Sequence, residues 1–380
     1  MIKRLIPLAI LAVVVGGGWS TISGMLPPEI RRVAQSVGAS VRSRIAPQAG
    51  FGSAPVGPPG SGYPQQPAPT YSASNYYPAT GQPPRAAPTP QQPLPTIRIA
   101  TFNIQAFGDA KAKKPHVMNA IAQIVRMFDV IAIQEIRTSD DYFIENVLRY
   151  YVNADGRSRY AARVSQRLGR TSSTERYAFL YNTATIEANP AVDFVMPDPE
   201  DRLHREPHVA MFRTKLAPPE QAFTFVLMNV HTDPDDARDE LDSLYGAYEA
   251  VKRMPISGYP EDDVILLGDL NTNVPVQSVY RQGGTGRALL PKDLGMLANV
   301  VGIYPLVQQE ATNTIGSRLH DNLLISRVST TEFTGTAGVY DFRAAYRITE
   351  EQAKELSDHF PVWGEFSAYE SQAIGLAARR

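Results

Sequence analysis

The stretch VILLGDLN, residues 264–271, constrains the fold more than any other part of the chain. Its four leading apolar residues predict a strand that is buried on both faces. Gly268 ends the apolar run. Alternation along a strand then places Asp269 and Asn271 on one side and Leu270 on the other. A carboxylate and a carboxamide at a strand end suit a hard cation or a phosphate, although an ordinary Asx turn explains the same letters equally well.

Other predicted strands also end in polar side chains. IRIATFNIQAF carries Asn103 near its end, and VIAIQEIR ends in Glu135 and Arg137. A carboxylate directly after a buried strand needs a partner, and a metal ion or an arginine is the usual one. Between the two strands, apolar residues at helical spacing predict a helix over residues 115–128. Strand, helix and strand in this order predict mixed α/β layers.

Five more polar positions border the later strands. Glu175 opens ERYAFLY, and His231 follows FTFVLMNV. Asp321 lies at the start of HDNLLIS, and Asp358 and His359 precede the last strand, in LSDHFPVWGEF. A single histidine after a strand is more often an exposed loop residue than a catalytic group, so none of these positions decides a function alone.

The N-terminal residues 1–26 predict a signal peptide or a membrane anchor. Lys3 and Arg4 precede a charge-free segment, residues 5–26, which is long enough to cross a bilayer. The lack of a small-x-small cleavage motif after Val15 favours the anchor. Cations before the span predict an exported protein, either membrane-anchored and facing outside or secreted.

Residues 27–96 predict a juxtamembrane and Pro-rich disordered linker. In residues 28–45, apolar residues at helical spacing alternate with arginines, which fits either an amphipathic helix on anionic head groups or a polar spacer. Residues 46–96 contain too much Pro and Gly for a packed core. The globular domain is therefore expected at residues 97–368, followed by a C-terminal tail, residues 369–380.

Composition excludes some classes of site. The formal net charge of −1 gives no sign of a globally basic nucleic-acid binder. It does not exclude nucleic acid, because a carboxylate-rich metal site offsets local basic residues. The chain has no cysteine, which excludes disulfides and thiolate metal sites.

Taken in order, the motifs resemble a known superfamily. FNIQAF, IQEIR, ERYAFLY, HREP, NVHT, GDLN, HDNLLIS and SDHFPV follow the order of the endonuclease/exonuclease/phosphatase superfamily. ERY with a later REP, and YDFRAAYRIT before SDHFPV, are most similar to its deoxyribonuclease I group. The resemblance implies an α+β fold, a four-layer αββα sandwich of two stacked mixed sheets with one active cleft.

The resemblance also implies a metal site. By motif position, Asn103, Glu135 and Asp358 lie around a divalent cation, expected to be Mg²⁺, with Mn²⁺ as the alternative. Asp269 and Asn271 orient the scissile phosphate or a second cation. A hard cation and amide donors stabilise the negative charge that phosphodiester hydrolysis adds at phosphorus.

The resemblance also implies that His231 pairs with Glu175 and that His359 pairs with Asp321. Two histidines made more basic by carboxylates supply an acid and a base near neutral pH. We expect His359 to be the base and His231 the acid, and the sequence leaves the exchanged roles open.

Surface contacts and structural ions follow from the resemblance in the same way. Arg137 and Arg205 match arginines that the family places beside the nucleic-acid backbone and groove. Four residues fall where the family binds structural Ca²⁺, although solvated loop residues are the commoner case: Asp201, Glu206, Glu310 and Thr312.

Together these expectations describe an exported, divalent-metal-dependent endonuclease that cuts double-stranded DNA with little sequence specificity and acts as a monomer. The alternative within the superfamily is a sphingomyelinase or a phosphoinositide phosphatase, which a membrane tether would suit. A non-catalytic binding module is disfavoured, because both histidines and every acidic group are present together.

Overall fold

The computed structural model describes residues 94–170, 174–256, 259–280 and 285–371. The predicted anchor, the arginine-rich segment and the linker up to residue 93 lie outside these ranges, as do residues 372–380. Within the described ranges, no helix combines the length and the apolar character needed to span a bilayer.

The strands and helices follow one another along the chain as follows. The strands are β1 (Thr96–Phe107), β2 (Val130–Ile136), β3 (Tyr160–Val164), β4 (Arg176–Asn182), β5 (Ile186–Val195), β6 (His208–Thr214), β7 (Thr224–His231), β8 (Pro255–Ile256), β9 (Tyr259–Pro260), β10 (Val264–Pro275), β11 (Ile303–Pro305), β12 (Arg318–Ser326), β13 (Phe333–Val339) and β14 (Val362–Ser367). The α-helices are α1 (Asp109–Ala112), α2 (Pro115–Val125), α3 (Phe143–Val147), α4 (Ala237–Lys252), α5 (Phe342–Tyr346) and α6 (Glu350–Leu356). A π-helical turn (Leu148–Val152) continues α3, and a 3₁₀ segment (Pro291–Asn299) precedes β11.

Two mixed sheets of six strands each form the body of the domain. The first has the order β13-β14-β1-β2-β4-β3, and the second has the order β11-β12-β10-β7-β6-β5. In the first sheet β1 runs parallel to β2 and antiparallel to β14. In the second, β10 runs parallel to β7 and antiparallel to β12.

Helices cover the outer face of each sheet. Leu244 and Tyr248 of α4 belong to the same buried cluster as the strands of the second sheet. Ile121 of α2 and Leu356 of α6 belong to a separate cluster on the first sheet. The sheets meet through aromatic rings, with Phe179 and Phe212 5.5 Å apart between centroids. These four layers confirm the predicted αββα sandwich.

A buried polar contact fixes the position of one sheet on the other. The Gln134 side-chain amide donates to Asn229 Oδ1 at 2.6 Å across the sandwich, and Asn229 Nδ2 donates to the Ile133 carbonyl at 3.2 Å. Both side chains are fully buried. A satisfied polar pair in a core favours one register over its alternatives, because a slip leaves buried polar groups unpaired.

Strand register places the polar strand ends side by side. In the second sheet, Asp269 lies opposite His231 of β7 on one side and opposite Asp321 of β12 on the other. In the first sheet, Asn103 lies opposite Gln134, and the pairing of β1 with β2 is irregular beyond that point. The fold therefore gathers the polar residues at one edge of the two sheets.

Candidate active site

The carboxylate of Asp269 lies in the middle of the polar side chains at this edge. Its Oδ2 lies 3.7 Å from Nε2 of His231 and 3.7 Å from Nε2 of His359. The same oxygen accepts a hydrogen bond from Asn103 Nδ2 at 3.0 Å, while Oδ1 accepts one from the Asn271 backbone N–H at 3.0 Å. Burial alone would raise the pKa of Asp269, but the neighbouring histidines outweigh it and hold the pKa below its usual range. The group is therefore a buried anion between two imidazoles.

The first imidazole is oriented by a buried carboxylate. Nδ1 of His231 lies 2.8 Å from Oε1 of Glu175, and this contact makes Nδ1 the protonated nitrogen that donates. Nε2 is then the nitrogen that faces Asp269. Burial lowers the pKa of His231, yet the carboxylates of Glu175 and Asp269 outweigh that effect and raise it above 6.5.

The second imidazole has a matching arrangement from the other side. Nδ1 of His359 lies 2.8 Å from Oδ2 of Asp321. Burial opposes the charged form, but Asp321 and Asp269 together raise the pKa of His359 well above 6.5. The hydroxyl of Thr312 accepts hydrogen bonds from the backbone N–H groups of His320 and Asp321, at 2.9 and 3.1 Å, which fixes the start of β12.

Oxygen ligands for a hard cation lie beside the histidines. Oδ1 of Asn103 is buried and has no hydrogen-bond partner, while its Nδ2 donates to Oε1 of Glu135 at 3.3 Å. Oδ2 of Asp358 accepts a hydrogen bond from Gln105 at 2.8 Å. An unsatisfied carboxamide oxygen next to a carboxylate is the donor set that Mg²⁺ prefers, so these residues fit the predicted ion.

The local backbone is strained where it presents these groups. Three non-glycine residues at the site have positive φ: Ala106 at 48°, Glu135 at 63° and Asn271 at 45°. Each such conformation costs about 1–3 kcal/mol and persists only where the surroundings enforce it. The Ala106 N–H donates to Oε2 of Glu135 at 2.8 Å, and the Asn271 side chain donates to the Thr232 carbonyl at 2.8 Å.

Comparison with known proteins identifies the family of the chain. The sequence profile of the Endonuclease/Exonuclease/phosphatase family matches residues 100–359, most of the described chain. The chain belongs to this family. Its similarity to curated members includes bovine deoxyribonuclease-1, at 29% identity over 279 residues, covering 70% of this chain and 91% of the bovine protein. Human deoxyribonuclease-1-like 2 is 31% identical over 288 residues, with 70% and 90% covered. Rat deoxyribonuclease gamma is 28% identical over 291 residues, with 73% and 86% covered.

The two arginines expected at the nucleic acid take different positions in this family member. Arg137 is 36% exposed, and its guanidinium lies 3.4 Å from Glu135 and 3.4 Å from Glu175. Arg205 is only 5% exposed. It donates to the backbone carbonyls of His231 and Thr232, at 3.0 and 3.2 Å. Nε and Nη2 of Arg205 therefore donate inside the protein, and a nucleic-acid contact at Arg205 stays a prediction.

The residues at the expected calcium positions make other contacts within the protein. Asp201 forms an ion pair with Arg170 at 2.8 Å, and the Thr312 hydroxyl is occupied by two backbone N–H groups. Among the described residues, Asp201, Glu206 and Glu310 belong to no group of three close acidic or histidine side chains. A calcium site at these positions stays a prediction.

Two residues near the site had no clear signal in the sequence. The ring of His320 lies 5.5 Å from that of His359, and burial lowers the pKa of His320. Burial also lowers the pKa of Lys111, to about 8, and its ammonium donates to the carbonyls of Glu355 and Leu356. Lys111 thereby fixes the segment that leads to Asp358.

Proposed function

We propose that the chain is a Mg²⁺-dependent endonuclease that hydrolyses phosphodiester bonds in double-stranded DNA with little sequence preference. The observation that carries the proposal is the equal 3.7 Å distance from Asp269 Oδ2 to the Nε2 atoms of His231 and His359. Two oriented imidazoles can supply the two proton transfers of phosphodiester hydrolysis, in which one oxygen loses a proton while another gains one.

His359 is assigned as the base and His231 as the acid. In the reacting form, neutral Nε2 of His359 takes the proton from the attacking water, and Asp321 stabilises the imidazolium that results. Protonated Nε2 of His231 gives its proton to the leaving oxygen, and Glu175 holds the ring in place through Nδ1. Each histidine therefore moves one proton at Nε2.

Asn103, Glu135 and Asp358 are the residues proposed to hold the cation. When bound, Mg²⁺ supplies Lewis-acid stabilisation of the charge that develops on the phosphate oxygens. Glu135 also accepts a hydrogen bond from the Ala106 N–H and so fixes the bent end of β1. The same carboxylate therefore supplies charge to the cation and holds the strand that carries Asn103.

DNA is the proposed substrate for two reasons. The curated relatives are named deoxyribonucleases and match over most of their length. Arg137 is half-exposed beside Glu135, which suits a contact with a phosphate of the bound strand. Export is proposed from the apolar, charge-free segment of residues 5–26.

A substrate panel tests this function. The full-length chain is incubated with supercoiled plasmid, with sphingomyelin vesicles and with phosphoinositide vesicles, each with Mg²⁺ and with EDTA. We expect plasmid nicking that needs Mg²⁺ and no lipid hydrolysis. Lipid hydrolysis without nicking would overturn the substrate and leave the fold unchanged.

A further inference from the structure

A second group of carboxylates lies at the start of β10, away from the active site. Asp263 directly precedes β10, Glu332 precedes β13 and Glu370 follows β14, so the group spans both sheets. Asp263 is six residues before Asp269, which corresponds to about 20 Å along a strand. The group is therefore separate from the catalytic histidines.

These carboxylates are close together and incompletely bonded. Carboxylate oxygens of Asp263, Glu332 and Glu370 lie within 4.8 Å of one another. Asp263 is 6% exposed and Glu332 is 4% exposed. Oδ1 of Asp263 and Oε2 of Glu332 are buried with no hydrogen bond of good geometry, and the neutral Thr330 hydroxyl lies beside the Asp263 carboxylate. None of the ion pairs formed by the described residues includes any of the three.

Backbone N–H groups hold two of the carboxylates in place. Oε1 of Glu332 accepts from the Ser371 N–H at 2.7 Å, and Oε1 of Glu370 accepts from the Thr224 N–H at 2.9 Å. The neighbouring Glu261 is satisfied differently, because it accepts from the Thr224 hydroxyl at 2.6 Å and from the Asp263 N–H at 3.1 Å. The unsatisfied oxygens thus belong to Asp263 and Glu332.

Such a group requires a positive charge or bound protons. Burial, followed by the carboxylates of Glu332, Glu261 and Glu370, raises the pKa of Asp263 to about 9. Burial raises the pKa of Glu370 to about 7. A buried carboxylate with no counter-charge is unfavourable, and a bound cation removes the cost by supplying that charge.

We infer that Asp263, Glu332 and Glu370 form a Ca²⁺ site that joins the two sheets at the end of the sandwich remote from the active site. Ca²⁺ accepts six to eight oxygens at about 2.3–2.6 Å, so oxygens on opposite sides of the ion are about 4.6–5.2 Å apart. Because each pair of the three carboxylate oxygens is closer than 4.8 Å, one ion can reach all three. Water completes the coordination.

The inferred ion stabilises the fold and takes no part in catalysis. It connects the strand β10 of the second sheet to the C-terminal segment, whose Glu370 N–H also donates to the Gln221 carbonyl at 2.9 Å. Because the expected effect of the ion is a change in melting temperature, its test does not depend on the proposed nuclease activity.

Thermal melting of the full-length chain with and without Ca²⁺ tests the inference. At a Ca²⁺ concentration about 100 times the dissociation constant, the wild type should melt on the order of 5 °C higher. Glu332→Gln should lose most of this rise. Without Ca²⁺ the same variant should melt at or above the wild type, because it lacks an unpartnered buried charge.

Asp201→Asn is the matched control, since it removes an exposed carboxylate at an expected calcium position, and it should keep the full rise. If Glu332→Gln does not fold, Glu370→Gln takes its place, because Glu370 is only partly buried, and it should also lose the rise. Retention of the rise in the variant that folds would overturn the inference. Absence of any Ca²⁺ effect on the wild type would also overturn the inference. If the melting temperature then rises as the pH falls, the carboxylates share protons instead of binding an ion.

Discussion

Glu175→Gln tests the acid–base assignment through the pH dependence of the reaction. Glu175 is fully buried, and its Oε1 lies 2.8 Å from Nδ1 of His231. The substitution keeps the size of the side chain and removes its charge. The amide oxygen can still accept from Nδ1, so the imidazole keeps its orientation while losing the neighbouring anion.

The expected loss of rate follows from the contact that changes. A hydrogen bond to a charged group contributes about 1.5–3 kcal/mol. If all of that applies in the transition state, the rate falls about 10-fold to 150-fold, at about 1.36 kcal/mol for each factor of ten. His231→Ala removes the proton donor itself and should cost more, on the order of 10²–10⁴.

The pH profile carries the sharper result. In the wild type, Glu175 and Asp269 outweigh burial and raise the pKa of His231 above 6.5. Removing one anion lowers that pKa. An acid must be protonated to act, so activity is present below its pKa and is lost as the pH rises through it. The alkaline limb of the nicking-rate profile should therefore move to lower pH in Glu175→Gln.

Initial rates of plasmid nicking between about pH 5 and 9, at saturating Mg²⁺, measure both limbs. Glu187→Gln is the matched control, because Glu187 pairs with Arg213 on the surface and its loss should leave the profile unchanged. Movement of the acidic limb instead would contradict an acid, His231, that titrates above the base, His359. If neither limb moves, the claim that Glu175 tunes His231 is refuted.

Four further substitutions test the roles of individual groups. Glu135→Gln should lower nicking, and added Mg²⁺ should restore part of the rate, because a ligand charge is lost; a Mg²⁺ titration that restores nothing contradicts the metal role. Arg137→Ala should weaken DNA binding and reduce its salt slope by about one, measured by fluorescence anisotropy, whereas an unchanged slope argues against a phosphate contact. Arg205→Ala should instead lower stability by about 3 kcal/mol in urea unfolding, because it removes a buried cation 3.7 Å from Glu175 and the donor to the His231 and Thr232 carbonyls. An unchanged midpoint would contradict this structural role. Asn229→Leu should cost about 1–3 kcal/mol in the same assay, since the Gln134 amide loses its acceptor, and an unchanged midpoint would contradict the role of the polar contact.

Local pattern was sufficient to predict the strands that carry the site residues and the helix α2, whereas β3, β5, β11 and β13 were not predicted. The apolar run before Asp269 is the buried strand β10, and the periodic segment after Pro115 is the helix α2. The pairing of His231 with Glu175 and of His359 with Asp321 was expected from the family resemblance, and the side chains lie in contact. These features could be predicted because they follow from the order of residues along the chain.

Features that depend on three-dimensional packing were not predictable in the same way. The burial of Arg205 follows from where the carbonyls of β7 end, and nothing next to it in the sequence indicates that. Asp263, Glu332 and Glu370 are far apart along the chain and meet only because both sheets end there. Acidic residues in loops are usually solvated, so the sequence alone predicts that these three carboxylates are exposed to water.

The single and double alanine variants of His231 and His359 test the central claim most directly. Plasmid nicking is measured at saturating Mg²⁺ for full-length variants that fold, with His116→Ala, an exposed histidine paired with Glu355, as the control. Each single variant should nick plasmid on the order of 10²–10⁴ times more slowly than the wild type. The double variant should be slowed by less than the product of the two single factors, and the control should match the wild type. Near wild-type nicking by either folded single variant would contradict the two-histidine mechanism.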